Sequence, residues 1–274
     1  MAVKDEYVFP RDHLDNNRIN VQHYFWTRMY GYLLHPDIPT TSPTLKIADV
    51  GTGTGIWLLD LCDQLPHSVQ LDGLDISFQA APVKERLPPN MALRHWDIRT
   101  DPPEELLGVY DVVHIRLFSW VLLADELPAV AGRLFKLLKP GGFLQWTEAD
   151  FGSRRTVKTS PANKSDATDQ LWKLMERDDE RIRPKWAPSI PALLRDQGLE
   201  DIKADVRDTP PHLLGPVQDC ILLSAETIIR SGLFDDAVAN KLKHLLAEAV
   251  KEARQGTCWE FTRWTVVGKK PAAA

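Results

Sequence analysis

Cysteine is scarce in this 274-residue chain: Cys62, Cys220 and Cys258 are odd in number and share no metal-ligand spacing. That argues against a disulfide framework or a bound metal, and leaves reduced thiols in the cytoplasm as the plain reading. Positive charge is not in surplus either, with 33 Lys and Arg against 38 Asp and Glu, a net charge of −5. A nucleic-acid partner asks for a basic face and is disfavoured. No apolar run is long enough to span a bilayer, and the opening MAVKDEYVFPRDHLDNN is too polar for a secretory signal. Repeats are missing, and low complexity is confined to a GKKPAAA tail, expected to be loose. The expectation is a soluble cytoplasmic chain that meets a small molecule, has no membrane contact, and is of open oligomeric state.

What is present is a glycine-rich turn. In IADVGTGTGIW, Ile47, Ala48 and Val50 read as a buried strand, and Leu58, Leu59, Leu61, Cys62 and Leu65 recur at helical spacing after it. Gly51, Gly53 and Gly55 between them permit positive φ and let a ligand lie against bare backbone beside Thr52, facing the free N–H groups of a helix start. A dinucleotide fingerprint needs its last glycine where Ile56 stands, and a Walker loop needs a Lys after the glycines. Neither requirement is met. Asp49, two residues before the first glycine, would repel a pyrophosphate but accept from an ammonium group. S-adenosylmethionine carries adenosine, an ammonium and a carboxylate, and fits that pattern.

The following segments supply more acids at strand tips. VQLDGLDIS ends in Asp75 with Ile76 beside it, roughly 20 residues past the glycines, where a carboxylate bonds ribose hydroxyls. MALRHWDI ends in Asp97, placed to accept from an adenine amino group, with Trp96 and Ile98 flanking the ring. YDVVHIRLFSW reads as a fourth strand with Arg116 at its tip, and LKPGGFLQWTE as a helix end, a Pro-Gly-Gly turn and a fifth strand.

From about Thr44 to Asp150 the chain resembles the class I S-adenosylmethionine-dependent methyltransferases, and RINVQHYFW, GYLLHPDIP and DVVHIR look like the fungal secondary-metabolite type (UMTA-like, gliotoxin N-methyltransferase-like and LaeA-like). The resemblance implies an α/β, Rossmann-like fold with a seven-stranded, mostly parallel sheet and helical lid insertions. It implies S-adenosylmethionine held by Asp49, Gly51, Gly53 and Gly55, by Asp75 and Asp97, and by Arg116. Tyr24, with Phe25, Trp26 and Tyr30, would close over the cofactor or dock the leader on the core.

Methyl transfer asks mainly for alignment and exclusion of water. His23 and His114 are the candidate bases, since imidazole titrates near working pH, and Glu148 is a candidate to orient the acceptor. Trp120, Trp146, Phe151, Trp172, Met175 and Trp186 would make an aromatic acceptor pocket if they converge. The organisation expected is a helical leader over residues 1–43, breaking at His35-Pro36, and a cofactor-binding domain over 44–274 with insertions at about 151–195 and 212–255. SRRTVKTSPANKS reads as loop, DATDQLWKLMERDDERI as a helix with Leu171, Leu174, Met175 and Ile182 on one face, and ERDDERIR as a solvated stretch. The reading is transfer to O, N or S of a small, largely apolar or aromatic metabolite. A methyltransferase-fold regulator and a non-methylating cyclase stay open, and an NAD-dependent oxidoreductase is disfavoured by Ile56.

Overall fold

The runs that alternate about a glycine or proline punctuation become strands. In the computed structural model, which describes residues 7–176 and 184–272, these are β1 (Lys46–Val50), β2 (Gln70–Asp75), β3 (Met91–His95), β4 (Tyr110–Arg116) and β5 (Leu138–Lys158), followed by β6 (Glu200–Arg207) and β7 (Thr257–Lys269). They form one seven-stranded sheet in the order β3-β2-β1-β4-β5-β7-β6, parallel except for β7, which runs antiparallel to both neighbours. This is the expected Rossmann-like α/β sheet. Its order reverses between β1 and β4, and a crevice opens there beyond the strand ends.

Period-2 alternation decides which residues face which layer. Ile47 and Val112 turn to one face, where they meet Trp57, Leu58 and Leu61 of α2 (Ile56–Cys62). Ala48, Val50, Val113, Ile115, Leu144 and Trp146 turn to the other, against α3 (Leu127–Leu137) and α5 (Ile190–Asp196). Above the strand ends, α4 (Asp166–Met175), α6 (Leu214–Arg230) and α7 (Asp236–Arg254) share a second apolar cluster with Val8 and Phe9. The leader helix α1 (His13–Tyr30) lies against α6 and α2. Asp12 caps its start, accepting from the N–H groups of Leu14 and Asp15, and Gly31, at φ 74°, closes its end by donating to the Thr27 carbonyl.

Four boundaries differ from the sequence reading. The leader helix stops at Gly31, ahead of the His35-Pro36 break, because a left-handed C-cap suits glycine. SRRTVK is strand: past a register shift, Arg155–Lys158 pairs with Thr257–Glu260 of β7, a long-range partner that local composition does not reveal. The helix expected over DATDQLWKLMERDDERI is α4 and ends at Met175; Ile182 and all of ERDDERIR beyond Glu176 lie outside the described residues. The tail is pinned at its root, where the Lys270 N–H donates to the Gly142 carbonyl and its ammonium to the Phe135 and Leu138 carbonyls. Cys62, Cys220 and Cys258 are buried free thiols. Among the described residues, no helix is long and apolar enough to cross a membrane, and no three His, Cys, Asp or Glu residues are grouped as metal ligands.

Candidate functional site

The glycine turn is held open from three sides. Gly51, Gly53 and Gly55 have φ of 69°, 54° and 73°, and the Gly51 N–H donates to the Leu74 carbonyl at 2.8 Å. A methyl group on Gly51 would collide with the Phe118 ring, so only glycine lets the loop after β4 close down here. Gly53 donates its N–H to Asp75 Oδ2 at 2.9 Å, and Ser77 donates to Asp75 Oδ1 at 3.1 Å, which fixes the acid at the tip of β2. Burial pushes the Asp75 carboxyl above its usual range against these donors. From above, Thr54 donates to Asn20 of α1 at 2.7 Å.

Asp49 and His114 are register partners on β1 and β4, and their side chains meet at 2.7 Å between Oδ1 and Nδ1. Trp57 stacks flat on the imidazole, 3.8 Å away and 4° from parallel. His114 is buried, and burial lowers its pKa. The imidazole, locked between an acid and an indole, sets the Asp49 carboxylate in place and itself lines the cavity.

Arg116, at the tip of β4, lines the same cavity as Asp49 and the glycines. Its guanidinium donates to Nδ1 of His23 at 3.1 Å, and Nε2 of His23 faces Asp60 at 3.0 Å. A guanidinium only donates, so Nδ1 accepts and Nε2 carries the proton. Burial, aided by the Arg116 charge, holds the His23 pKa down at about 4, and His23 is not among the cavity-lining residues. It holds Arg116 from behind the cavity wall. Desolvation also draws Arg116 down to about 10. The motif RINVQHYFW thus acts through several contacts at once: Arg18 with Gln22, Asn20 with Thr54, and His23 with Arg116.

Besides His23, five sequence-derived site residues fall outside the cavity, Glu148, Trp146, Trp186, Tyr24 and Gly55, and strand parity explains two. Trp146 and Glu148 are two apart on β5 and share the face that meets α3 and α5. Glu148 accepts from the Phe118 and Ser119 N–H groups, from the Ser119 hydroxyl and from the Trp146 indole, at 2.6, 3.2, 2.7 and 3.1 Å. Its carboxylate therefore braces the loop after β4, where Leu117 has a left-handed φ of 62°, and it does not line the cavity. Burial raises its pKa to about 7. Trp146 is fully buried and meets Trp186 edge-on at 5.9 Å, so both indoles are core. Tyr24 points outward at 54% exposure, because residues 23 and 26 take the inward side of α1. Gly55 caps α2 and turns the chain without lining the cavity.

The remaining candidates converge. One cavity is lined by Asp49, Gly51, Thr52, Gly53, Asp75, Ile76, Asp97, Ile98 and Arg116 at one end and by Trp120, Phe151, Trp172 and Met175 at the other. Asp97 holds its turn by accepting from the Arg99 N–H at 2.9 Å. Phe151 joins the aromatic walls, with ring centroids 5.4 Å from Trp120 and 6.2 Å from Trp172. Sequence reasoning missed Phe9, which stacks on Trp120 at 5.1 Å, and Trp259 and Phe261, which also line the chamber. The last two alternate on β7, a period-2 signal present in CWEFTRW. The polar end fits S-adenosylmethionine: three acids and one cation match its ribose, base, ammonium and carboxylate, bare glycine backbone admits it, and the buried Thr52 hydroxyl has no protein partner.

Comparison with known proteins agrees. Residues 48–144, from β1 into β5, match the family described as "Methyltransferase domain". The N-methyltransferase tcpN of Claviceps purpurea is 32% identical over 214 residues, 75% of this chain and 73% of that protein. The methyltransferase grgD of a Penicillium species is 39% identical over 152 residues, 53% of this chain and 52% of its own length. The secondary metabolism regulator LAE1 of Gibberella fujikuroi is 32% identical over 161 residues, 58% of this chain and 49% of that protein. Among solved structures, the complex of the Haloferax volcanii Trm112 methyltransferase activator with a methyltransferase contains a chain of the same fold, with TM-score 0.57 at 15% identity, covering 98% of this chain and 100% of that one. The chain belongs to the class I S-adenosylmethionine-dependent methyltransferases of the fungal secondary-metabolite type.

Proposed function

We propose that this protein methylates a nitrogen atom of a small, largely apolar or aromatic metabolite in the cytoplasm. The single observation that carries the reading is the continuity of the cavity, which joins the cofactor-type residues around Gly53 to the aromatic chamber of Trp120, Phe151 and Trp172. Nitrogen is favoured over oxygen and sulfur by the relatives named as N-methyltransferases, tcpN of Claviceps purpurea and gliN of Aspergillus fumigatus. The sulfonium of the cofactor supplies an activated methyl group, so the protein's task is placement and exclusion of water. In this reading Asp75 accepts from the ribose hydroxyls, Asp97 from the adenine edge and Asp49 from the ammonium, while Arg116 faces the carboxylate. The leader helix and the two helical insertions act as a lid, burying the acceptor among the rings of α4, β5 and β7.

A second reading is favoured by one finding, the likeness to LAE1-type regulators over 58% of the chain. Incubation with radiolabelled S-adenosylmethionine and a fungal metabolite extract separates the two. Label in an extractable apolar compound supports the enzyme; cofactor binding without transfer to any small molecule overturns it.

A further inference from the structure

On α1, the first-turn Asp15 is wholly shielded from solvent yet lines the cavity. Its Oδ1 takes two donors from Arg18, Nε at 2.9 Å and Nη2 at 2.7 Å, and its Oδ2 has no hydrogen-bond partner. Arg18 has little left to give, because it also donates to Gln22 at 3.0 Å and to the Tyr7 hydroxyl at 3.4 Å. The ion pair needs only one carboxylate oxygen, and a helix start needs neither buried. An acceptor atom kept dry and unpaired is costly to the fold and calls for a donor from outside it.

The position of Asp15 says where that donor comes from. Arg18 lies 4.0 Å over the Phe9 ring, and Phe9 stacks on Trp120, so one side of the pair is the aromatic chamber. The Tyr7 hydroxyl, which accepts from Arg18 at 3.4 Å, lines the same cavity as Asp75 and the glycine turn. Asp15 therefore stands beside the aromatic chamber, in the cavity that also holds the glycine turn. The Asn16 side-chain oxygen, on the same wall, is also unpaired. In the chamber the unpaired groups are donors, the indole N–H groups of Trp120 and Trp259. Because Arg18 already balances the Asp15 charge, the pocket does not demand a cation.

Resting on the methyltransferase reading above, we infer that Asp15 Oδ2 is an acceptor-binding atom that takes an N–H from the methyl acceptor, and that the acceptor is a neutral aromatic compound carrying an N–H donor. An oxygen elsewhere on the acceptor meets the unpaired indole N–H groups, and its ring lies against the walls formed by Trp120, Phe151 and Trp172. Asp15 is here a recognition group, and the transfer chemistry is unchanged by it.

The test uses the full chain saturated with S-adenosylhomocysteine and two near-isosteric probes, isoindolin-1-one and phthalide, which differ only in an N–H replaced by oxygen. NMR titration gives a dissociation constant for each, and calorimetry gives that of S-adenosylhomocysteine. The lactam is expected to bind at least about tenfold more tightly than the lactone. Asp15→Asn keeps an oxygen for Arg18 and turns a donor toward the ligand; it is expected to erase that preference with S-adenosylhomocysteine affinity unchanged. Equal binding of the two probes to the natural chain, or an undiminished preference in the variant, overturns the inference and leaves the methyltransferase reading standing. Failure of the natural chain to bind S-adenosylhomocysteine removes that reading and the inference together.

Discussion

Arg116 donates to Nδ1 of His23 across 3.1 Å, which commits the imidazole to a neutral form with its proton directed at Asp60. A histidine in that state aims an arginine; it does not take protons from an acceptor. His23→Ala should weaken S-adenosylhomocysteine binding about tenfold, the loss of one charge-assisted contact's worth of orientation. Because its pKa is held at about 4, the pH profile of kcat should carry no limb from His23 between about pH 6 and 9. Loss of such a limb in the variant, with cofactor affinity intact, would restore His23 as a base.

Asp75 gives the cofactor site a pH dependence of its own. Its carboxyl titrates above the usual carboxylate range because it is buried, and only the ionised form offers both oxygens to a diol. Cofactor affinity should therefore fall as pH drops through that raised value. Asp75→Ala should cost a factor of ten or more at neutral pH, from charge-assisted bonds each worth roughly 1.5–3 kcal/mol. Calorimetry across the acid range checks both; a flat profile in the natural chain contradicts the assignment.

These contacts show how unevenly the molecule could be read from its sequence. The sheet was legible because strand tips ended in punctuation, and Gly51, Asp75 and Asp97 were legible because each sits beside its strand in sequence. Glu148 and Trp146 were misread for one shared reason: a strand's alternation assigns them to the α3 side, and the sequence alone does not say which side of β5 faces the ligand. Arg155–Lys158 read as loop because its partner, Thr257–Glu260, is a hundred residues away on β7. Asp15 carried no signal except its spacing to Arg18 on α1.

Two tryptophans should separate core from chamber. Trp146→Ala removes a fully buried indole from beneath the sheet and should cost about 3–5 kcal/mol of stability in urea unfolding. Trp172→Ala opens the chamber wall, so KM for a methylated acceptor should rise while S-adenosylhomocysteine affinity holds. A Trp146 variant that stays stable but changes acceptor choice would reverse the assignment.

Glu148 predicts a stability trend of opposite sign to ordinary carboxylates. Its folded pKa is raised to about 7 from 4.5, so the folded chain binds the extra proton between those values. Its contribution is complete below the unfolded pKa and is lost as pH rises through 7. Relative to Glu148→Gln, the natural chain should lose up to ~3 kcal/mol across that window. Urea midpoints for both proteins at several pH values check the slope, and a difference that grows in the natural chain's favour with rising pH contradicts it.

If the turn over Gly51, Gly53 and Gly55 holds the cofactor, calorimetry with S-adenosylhomocysteine registers it. Saturable heat is expected at one site per chain, abolished in Gly53→Asp, where the new side chain sets a carboxylate and a strained φ in the cofactor's path. Heat that persists unchanged in a folded Gly53→Asp protein, or no heat in the natural chain, would contradict it.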